Sequence, residues 1–345
     1  MANIEDVAKL AGVSKGTVSN VFTQKRPVRK EVVERVLRVA SELHFKPNYW
    51  ARTLSMKETR IIGLSMQAEQ TKFSQFHLSL INGVLQVCFD HGYRLLVNTL
   101  AADYQVALRY STTNPVDGEI FLDPKQEDER LMRRTEADPP AVVVGRPADG
   151  MDTKLCYVDN DSKAVAEQAT QYLIDLGHKD ILFLNTPRER TVAEDRRLGY
   201  ERALHKAGWN VRPELHVYEQ LGGNSLAYGY ETTKILLAGR RSFSAVLAGT
   251  DKIALGVYRA AVERGVSIPD DISVFVFENE SVFSEEFNPP LSGISLHAED
   301  IGREAALLLL ERLKSPAAAV VNTIIPSEIV VRESCRAWPG ATKKL

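Results

Sequence analysis

From Arg60 onward, short apolar runs alternate with segments of helical periodicity, and this alternation restricts the fold more than any other feature. The runs are "RIIGLSM", "YRLLVN", "GEIFLD", "AVVVG", "CYVDN", "DILFLN", "SAVLAG" and "DISVFVF". Between most of them lie amphipathic stretches at 75–91, 103–112, 162–177, 193–208, 224–238 and 251–265. Continuous apolar strands separated by helices are buried on both faces, the pattern of a parallel sheet covered on either side. Eight such runs exceed the usual size of one compact sheet. Two doubly wound α/β lobes with a cleft between them fit better, and such folds place ligands beside the carboxyl ends of their strands.

The first sixty residues follow a different pattern. Asn3 followed by Asp6 predicts a capped helix with Ile4, Val7, Ala8 and Ala11 on one face, ended by Gly12. Ser14 predicts the cap of a second short helix, "KGTVSNVF", with Val18 and Val21 inside and Lys15, Gly16, Thr17, Ser19 and Asn20 outside. After Pro27, a third helix places Val32, Val33, Val36, Leu37, Ala40 and Leu43 inward. Two short helices joined by a glycine turn and braced by a third read as a helix-turn-helix, whose second helix enters the major groove of DNA. A three-helix bundle with a polar surface is the plainer reading.

Charge separates these regions. Residues 1–60 hold 12 basic and 6 acidic side chains, and the remainder 31 and 39, although the whole chain carries only −2. A basic head on an acidic body suggests a polyanionic partner at one end only. No stretch has the roughly 18 apolar residues of a membrane span. The start "MANIEDVAKL" lacks the basic and apolar regions of a secretory signal, so a cytoplasmic location is expected. Cys88, Cys156 and Cys335 are odd in number and far apart, which fits a reducing compartment.

Between head and body stands "PNYWARTLS", residues 47–55. A helix capped by Asn48 has fewer than three turns before the charged "MKETR", and a helix that short is marginal alone in water. It packs on a neighbour or becomes ordered when something else arrives.

The head motif of Ile4, Asp6, Val7, Ala8, Ala11, Gly12, Val13, Ser14, Thr17, Val18, Ser19 and Val21 resembles that of the LacI family of bacterial transcriptional regulators. So does "KPN-x-x-AR-x-L" at 46–54, at the family's spacing, and the resemblance continues through nearly the whole chain. It implies a helix-turn-helix domain at 1–46, a hinge at 47–59, a two-lobed body like that of periplasmic binding proteins at 60–335, and a tail at 336–345. It further implies that Ser14, Lys15, Gly16, Thr17, Ser19 and Asn20 meet operator DNA. The hinge helix, with Asn48, Ala51, Arg52 and Leu54 among its DNA contacts, would lie in the minor groove, with Leu54 as the wedge and Arg52 placed to meet phosphate. An apolar wedge of this kind kinks DNA by unstacking a base step.

In the body, "LGHKDILFLNTP" resembles the opening of the family's second lobe, and "RRLGYERAL" places Arg196 at the effector-binding arginine. "AVLAGTDKIALGVYRA" brings Asp251 to the cleft border, "VDND" gives Asp161, and "IPDDISVFVFENE" gives Glu278. Phe73, His77 and Arg146 complete the expected effector set. Plainer roles remain for several: Arg196 and Arg146 as surface partners of carboxylates, Glu278 as a solvated strand-end acid, Phe73 as core. The chain departs from the family at Val276 and Glu278, where Gly and Asp are usual, and at Ser162, where Asn is usual. The loop "MQAEQTKFSQFH" lacks the common N-P-F-F, with Phe73 and Phe76 left to form an aromatic wall.

The chain has no G-x-G-x-x-G, P-loop, H-E-x-x-H or G-x-S-x-G, and its seven histidines show no ligand spacing. Neither a cofactor nor a metal is expected, and no enzymatic role. The reading is a repressor that binds near-palindromic operator DNA as a homodimer and answers to a sugar, with a uronate or sugar phosphate as the second choice. Its rivals are a solute-binding protein, which has no use for a basic head, and a sugar-processing enzyme, for which no nucleophile constellation is evident. The tail "CRAWPGATKKL" has no leucine heptads, so a dimer through the body lobes is expected rather than a coiled-coil tetramer.

Overall fold

The computed structural model describes residues 2–46, 58–67, 73–98, 115–239, 243–279 and 283–338. The chain divides into two compact units, Met1–Arg60 and Ile61–Leu345.

The head holds α1 (Ile4–Ala11), α2 (Lys15–Thr23) and α3 (Lys30–Glu42). Asn3 accepts the N–H groups of Glu5 and Asp6, and the Asp6 carboxylate accepts the Asn3 N–H at 2.9 Å, a full capping box. Gly12 ends α1 at φ 65°, and Ser14 caps α2 by accepting the Thr17 N–H at 3.1 Å. Val7, Ala8, Ala11, Val18, Val21, Val36, Val39 and Ala40 form the core. One expectation is corrected here: Leu37 is 47% exposed, and Val39 takes the inward place. Val36, Val39 and Ala40 follow the i, i+3, i+4 rule, and Leu37 is turned off that stripe.

The first lobe begins with β1 (Ile61–Ser65), α4 (Gln75–His91), β2 (Arg94–Asn98), β3 (Gly118–Phe121), the single turn α5 (Glu129–Met132), β4 (Ala141–Val144) and β5 (Cys156–Asp159). The second holds α6 (Ser162–Asp175), β6 (Ile181–Asn185), α7 (Thr191–Lys206), β7 (His216–Tyr218), α8 (Ser225–Ala238), β8 (Ala245–Ala248), α9 (Asp251–Glu263), β9 (Ser273–Val276) and β10 (Ser292–Ser295). The chain closes with α10 (Ala298–Lys314), β11 (Asn322–Ile324) and β12 (Glu328–Val330). All eight expected runs form strands; the expected helix at 103–112 lies outside the described residues.

Two six-stranded sheets result, ordered β11-β5-β4-β3-β1-β2 and β12-β10-β9-β8-β6-β7. Every pairing is parallel except β10 with β12. The chain therefore crosses between lobes after β5, after β10 and after β11. At those crossings the Asn160 side chain donates to the carbonyls of Leu296 and Ile325, both at 2.9 Å, so one amide ties all three connections. On the first sheet α4 and α10 pack with Leu80, Val84, Ile301, Ala305 and Leu309 over the strands. Their backbones touch at two glycines: a Cβ on Gly83 would lie 1.9 Å from the Glu299 carbonyl oxygen, and one on Gly302 would lie 2.0 Å from that of Leu80. The second sheet is covered on one face by Val165, Ala169 and Leu173 of α6 and on the other by Ile253, Ala254 and Val257 of α9.

Candidate functional site

Both sheets end on one cavity of about 190 Å³ between the lobes. The first lobe contributes Gln67 beyond β1, Asp123 and Pro124 beyond β3, Gly145 beyond β4, and Asp159 and Asn160 at the end of β5. The second contributes Thr186 and Pro187 beyond β6, Glu219 beyond β7, Thr250 and Lys252 beyond β8, and Glu278 beyond β9. Each sheet reverses its winding at β1 or β6, which opens a crevice at the strands' carboxyl ends, where ligands of such folds bind.

Arg196 rises from α7 into this cavity and is buried. One terminal nitrogen donates to the Gly249 carbonyl at 3.0 Å, the other faces Glu278 Oε1 at 3.5 Å, and the guanidinium carbon stands 4.6 Å from the Phe277 ring centre. Among the described residues its Nε has no hydrogen-bond partner, and neither does Thr186 Oγ1. Burial pushes the carboxyls of Glu278, Glu219 and Asp159 above the ordinary range, with Arg196 offsetting part of the push at Glu278. Asp123 goes the other way. Burial would raise it, but Arg190, His77 and Arg130 together outweigh burial and hold its carboxyl well below the usual range.

His77 reaches the cavity from the first turn of α4 and links Ser74 Oγ (2.6 Å) to Asp123 Oδ2 (2.9 Å). The order Ser–His–Asp resembles a nucleophile relay, but Ser74 is the α4 cap, its Oγ accepting the His77 N–H at 3.4 Å. Behind the wall, buried Arg130 donates to the carbonyls of Ser65 and Leu122 and to both oxygens of Asp128, and so fixes the ends of β1 and β3. Its role is positional.

The structure thus brings His77, Arg196 and Glu278 together in the cavity wall, and not the other four expected effector residues. Asp161 is the α6 cap, accepting the Ala164 N–H at 3.1 Å, while its neighbours Asp159 and Asn160 face the cavity. Arg146 turns to Asp195 and Asp149. Asp251 accepts the Lys252 N–H at 2.7 Å and stands close enough for its charge to raise Glu278. Phe73 packs edge-on to His77 and accepts Lys252 Nζ on its carbonyl at 3.3 Å. Gln67, Asp123, Thr186, Arg190, Glu219 and Lys252 escaped sequence reasoning. Their shared signal is position: all but Arg190 lie within a few residues of a strand's carboxyl end.

In the head, Ser14, Lys15 and Gly16 are exposed and Thr17, Ser19 and Asn20 half-buried, at the cap and in the first turns of α2. The Lys15 ammonium pairs with Glu5, and a Cβ on Gly16 would meet only Ser14 Oγ, at 3.7 Å. Asn48, Ala51, Arg52 and Leu54 lie outside the described residues.

A helix-turn-helix head on a two-lobed ligand-binding body is the class that fold and cleft define. Residues 3–48 match the model for bacterial regulatory proteins of the lacI family, and residues 170–335 match the periplasmic binding protein-like domain. The ribose operon repressor of Escherichia coli (strain K12) is 32% identical over 321 residues, 92% of this chain and 94% of that protein. The transcriptional repressor PurR of Histophilus somni (strain 129Pt) is 32% identical over 340 residues, 97% of this chain and 99% of its own length. Among solved structures, the regulator CelR in complex with cellobiose superposes with a TM-score of 0.73 at 27% identity, covering 97% of this chain and 100% of that one. The lac repressor dimer on operator shares the fold, with a TM-score of 0.81 at 24% identity over 97% of this chain and 99% of that one. The chain belongs to the LacI family of bacterial regulatory proteins. No helix among the described residues is long and apolar enough to cross a membrane.

Proposed function

We propose that this protein is a cytoplasmic repressor that binds a near-palindromic operator as a dimer and is controlled by a neutral, monosaccharide-sized sugar in the cleft. The observation that carries the choice of ligand is the pairing of charges. Arg196 faces Glu278, His77 and Arg190 face Asp123, and Lys252 rests on the Phe73 carbonyl. An anionic ligand must compete with those partners and stand beside Glu219 and Asp159, whose own charges burial already disfavours. Hydroxyl groups, which donate and accept, suit the carboxylates together with the Thr186 and Arg196 side chains, whose buried Oγ1 and Nε have no hydrogen-bond partner among the described residues. A cavity of about 190 Å³ also falls below the roughly 300–1,000 Å³ of sites for drug-sized molecules, which favours one ring over two. This reading ranks the uronate or sugar phosphate second.

On DNA, Lys15, Gly16 and Asn20 are assigned to base preference and Ser14, Thr17 and Ser19 to positioning α2, with Leu54 as the minor-groove wedge. Leu78, Leu85 and Phe89 of α4 with Leu96 and Val97 of β2 leave apolar surface exposed on the first lobe, and Ile235, Leu255 and Val262 do so on α8 and α9. Such patches suit pairing through the body. The ligand assignment is tested by thermal shift with D-ribose, D-glucose, cellobiose, D-glucuronate and glucose 6-phosphate. A neutral monosaccharide is expected to raise the melting temperature and to lose that effect in Arg196→Met; stabilisation by the two anions alone overturns the assignment.

A further inference from the structure

Beside the cavity, the lobes touch through contacts that no ligand supplies. Arg146 leaves the end of β4 in the first lobe and reaches α7 of the second. Its Nε donates to Asp195 Oδ2 and a terminal nitrogen to Asp195 Oδ1, both at 2.9 Å. The other terminal nitrogen donates to Asp149 at 2.7 Å. Asp195 is only 3% exposed, so the fork grips a carboxylate largely removed from water, the setting in which a bidentate pair is strongest. Neither residue lines the cavity.

A second set of contacts spans the same gap. Residues 124–126 run antiparallel to 189–191: the Gln126 N–H donates to the Glu189 carbonyl at 2.9 Å and the Thr191 N–H to the Pro124 carbonyl at 3.1 Å. The Thr191 hydroxyl adds a bond to the same Pro124 carbonyl at 3.3 Å. These contacts connect the β3 and β4 ends of one sheet to the start of α7. The covalent crossings, tied by Asn160, instead join the β5 and β11 edge to the β10 and β12 edge. Opening the cleft about the crossings therefore separates Arg146 from Asp195 and Pro124 from Thr191.

We propose that the Arg146–Asp195 pair and the 124–126/189–191 contacts form a latch that holds the lobes closed in the absence of ligand. Arg146 and Asp195 are then positioning residues: they touch no ligand but set the fraction of molecules whose cleft is formed. Apparent ligand affinity scales with that fraction, so breaking the Arg146–Asp195 pair lowers affinity without changing a side chain that lines the cavity.

The test is amide hydrogen exchange on the full, ligand-free chain. The amides of Gln126 and Thr191 are bonded across the cleft, so their protection reports latch opening, while the buried strand β8 serves as control. Arg146→Gln is expected to speed exchange at 124–126 and 189–191 about tenfold or more, the scale of one charge-assisted bond, and to leave β8 unchanged. Asp195→Asn should do the same, and the double variant should add nothing further. Should Arg146→Gln fail to fold, Asp195→Asn carries the same test. Unchanged protection at both segments overturns the latch, as does equal loss at β8, which marks general destabilisation. An affinity arm rests on the proposed cleft ligand and uses D-ribose as probe, with binding in Arg146→Gln expected to weaken in proportion to the closed fraction it loses. Failure of D-ribose to bind the wild type counts against the ligand reading alone, because the exchange is measured without it.

Discussion

Arg196→Met removes the charge that faces Glu278 and keeps an unbranched apolar stem in place of the arginine's methylenes. The two side chains are 4% and 16% exposed and stand 3.5 Å apart. Removing one member of a buried pair typically costs about 3–5 kcal/mol because the other charge is left uncompensated, and the long separation here points to about 3 kcal/mol. That cost depends on pH, since Glu278 can escape by taking a proton. Burial already raises its carboxyl, and Arg196 is the main group that offsets the rise. Without Arg196 the folded-state value climbs further. A carboxyl raised in the folded state binds more protons folded than unfolded between its two pKa values, so stability falls as pH rises through that window. The window opens near the ordinary glutamate value of about 4.3. Urea denaturation should therefore show a smaller loss in Arg196→Met at about pH 5 than at about pH 8, each relative to wild type. Adding Glu278→Gln should flatten the pH dependence and recover part of the loss at the higher pH. Equal destabilisation at both pH values, or no recovery in the double variant, refutes the reasoning.

Further outcomes follow from other contacts. Gly302→Ala drives a methyl to 2.0 Å from the Leu80 carbonyl and must part α4 from α10; a loss of about 1–3 kcal/mol in urea is expected, and an unshifted midpoint counts against so close a crossing. Asn160→Ala leaves the carbonyls of Leu296 and Ile325 without the amide that binds them, costing about 1–3 kcal/mol, read as a lowered melting temperature. Leu54→Ala should weaken specific operator binding by a few kcal/mol, on the scale of unstacking, yet keep salt-sensitive non-specific binding; equal loss of both in a bandshift argues against a wedge.

The alternation of apolar runs with helical stretches was enough to read a two-lobed parallel architecture, because buried parallel strands are apolar throughout. The strands that escaped have no such run. β7 reads "HVY", β10 "SGIS", β11 "NTI" and β12 "EIV": each is short, and each sits at a sheet edge or beside one. The pairing of the last three is set by the crossings rather than by local sequence. Leu37 shows the opposite error, an apolar residue assigned inward although the Val36, Val39 and Ala40 stripe had already filled that face. In the cleft, Arg196 and Glu278 were legible through motif resemblance, whereas the same resemblance pointed to Asp161 and not to Asp159. The structure separates them: Asp161 adopts φ 55° to cap α6, which leaves Asp159 at the strand end facing the cavity. Glu219 and Lys252 belong to no motif, and only the convergence of two sheets places them together.

The central claim is that the head reads DNA and the cleft controls that reading. The most direct measurement is the affinity of the full chain for a site selected from a random DNA pool, taken with and without the sugar that raises its melting temperature. The account predicts a near-palindromic site, bound by a dimer, whose affinity the sugar changes by about 5–150-fold, the usual range of allosteric coupling. Enrichment of no common sequence, or an operator affinity that the bound sugar leaves unchanged, would contradict it.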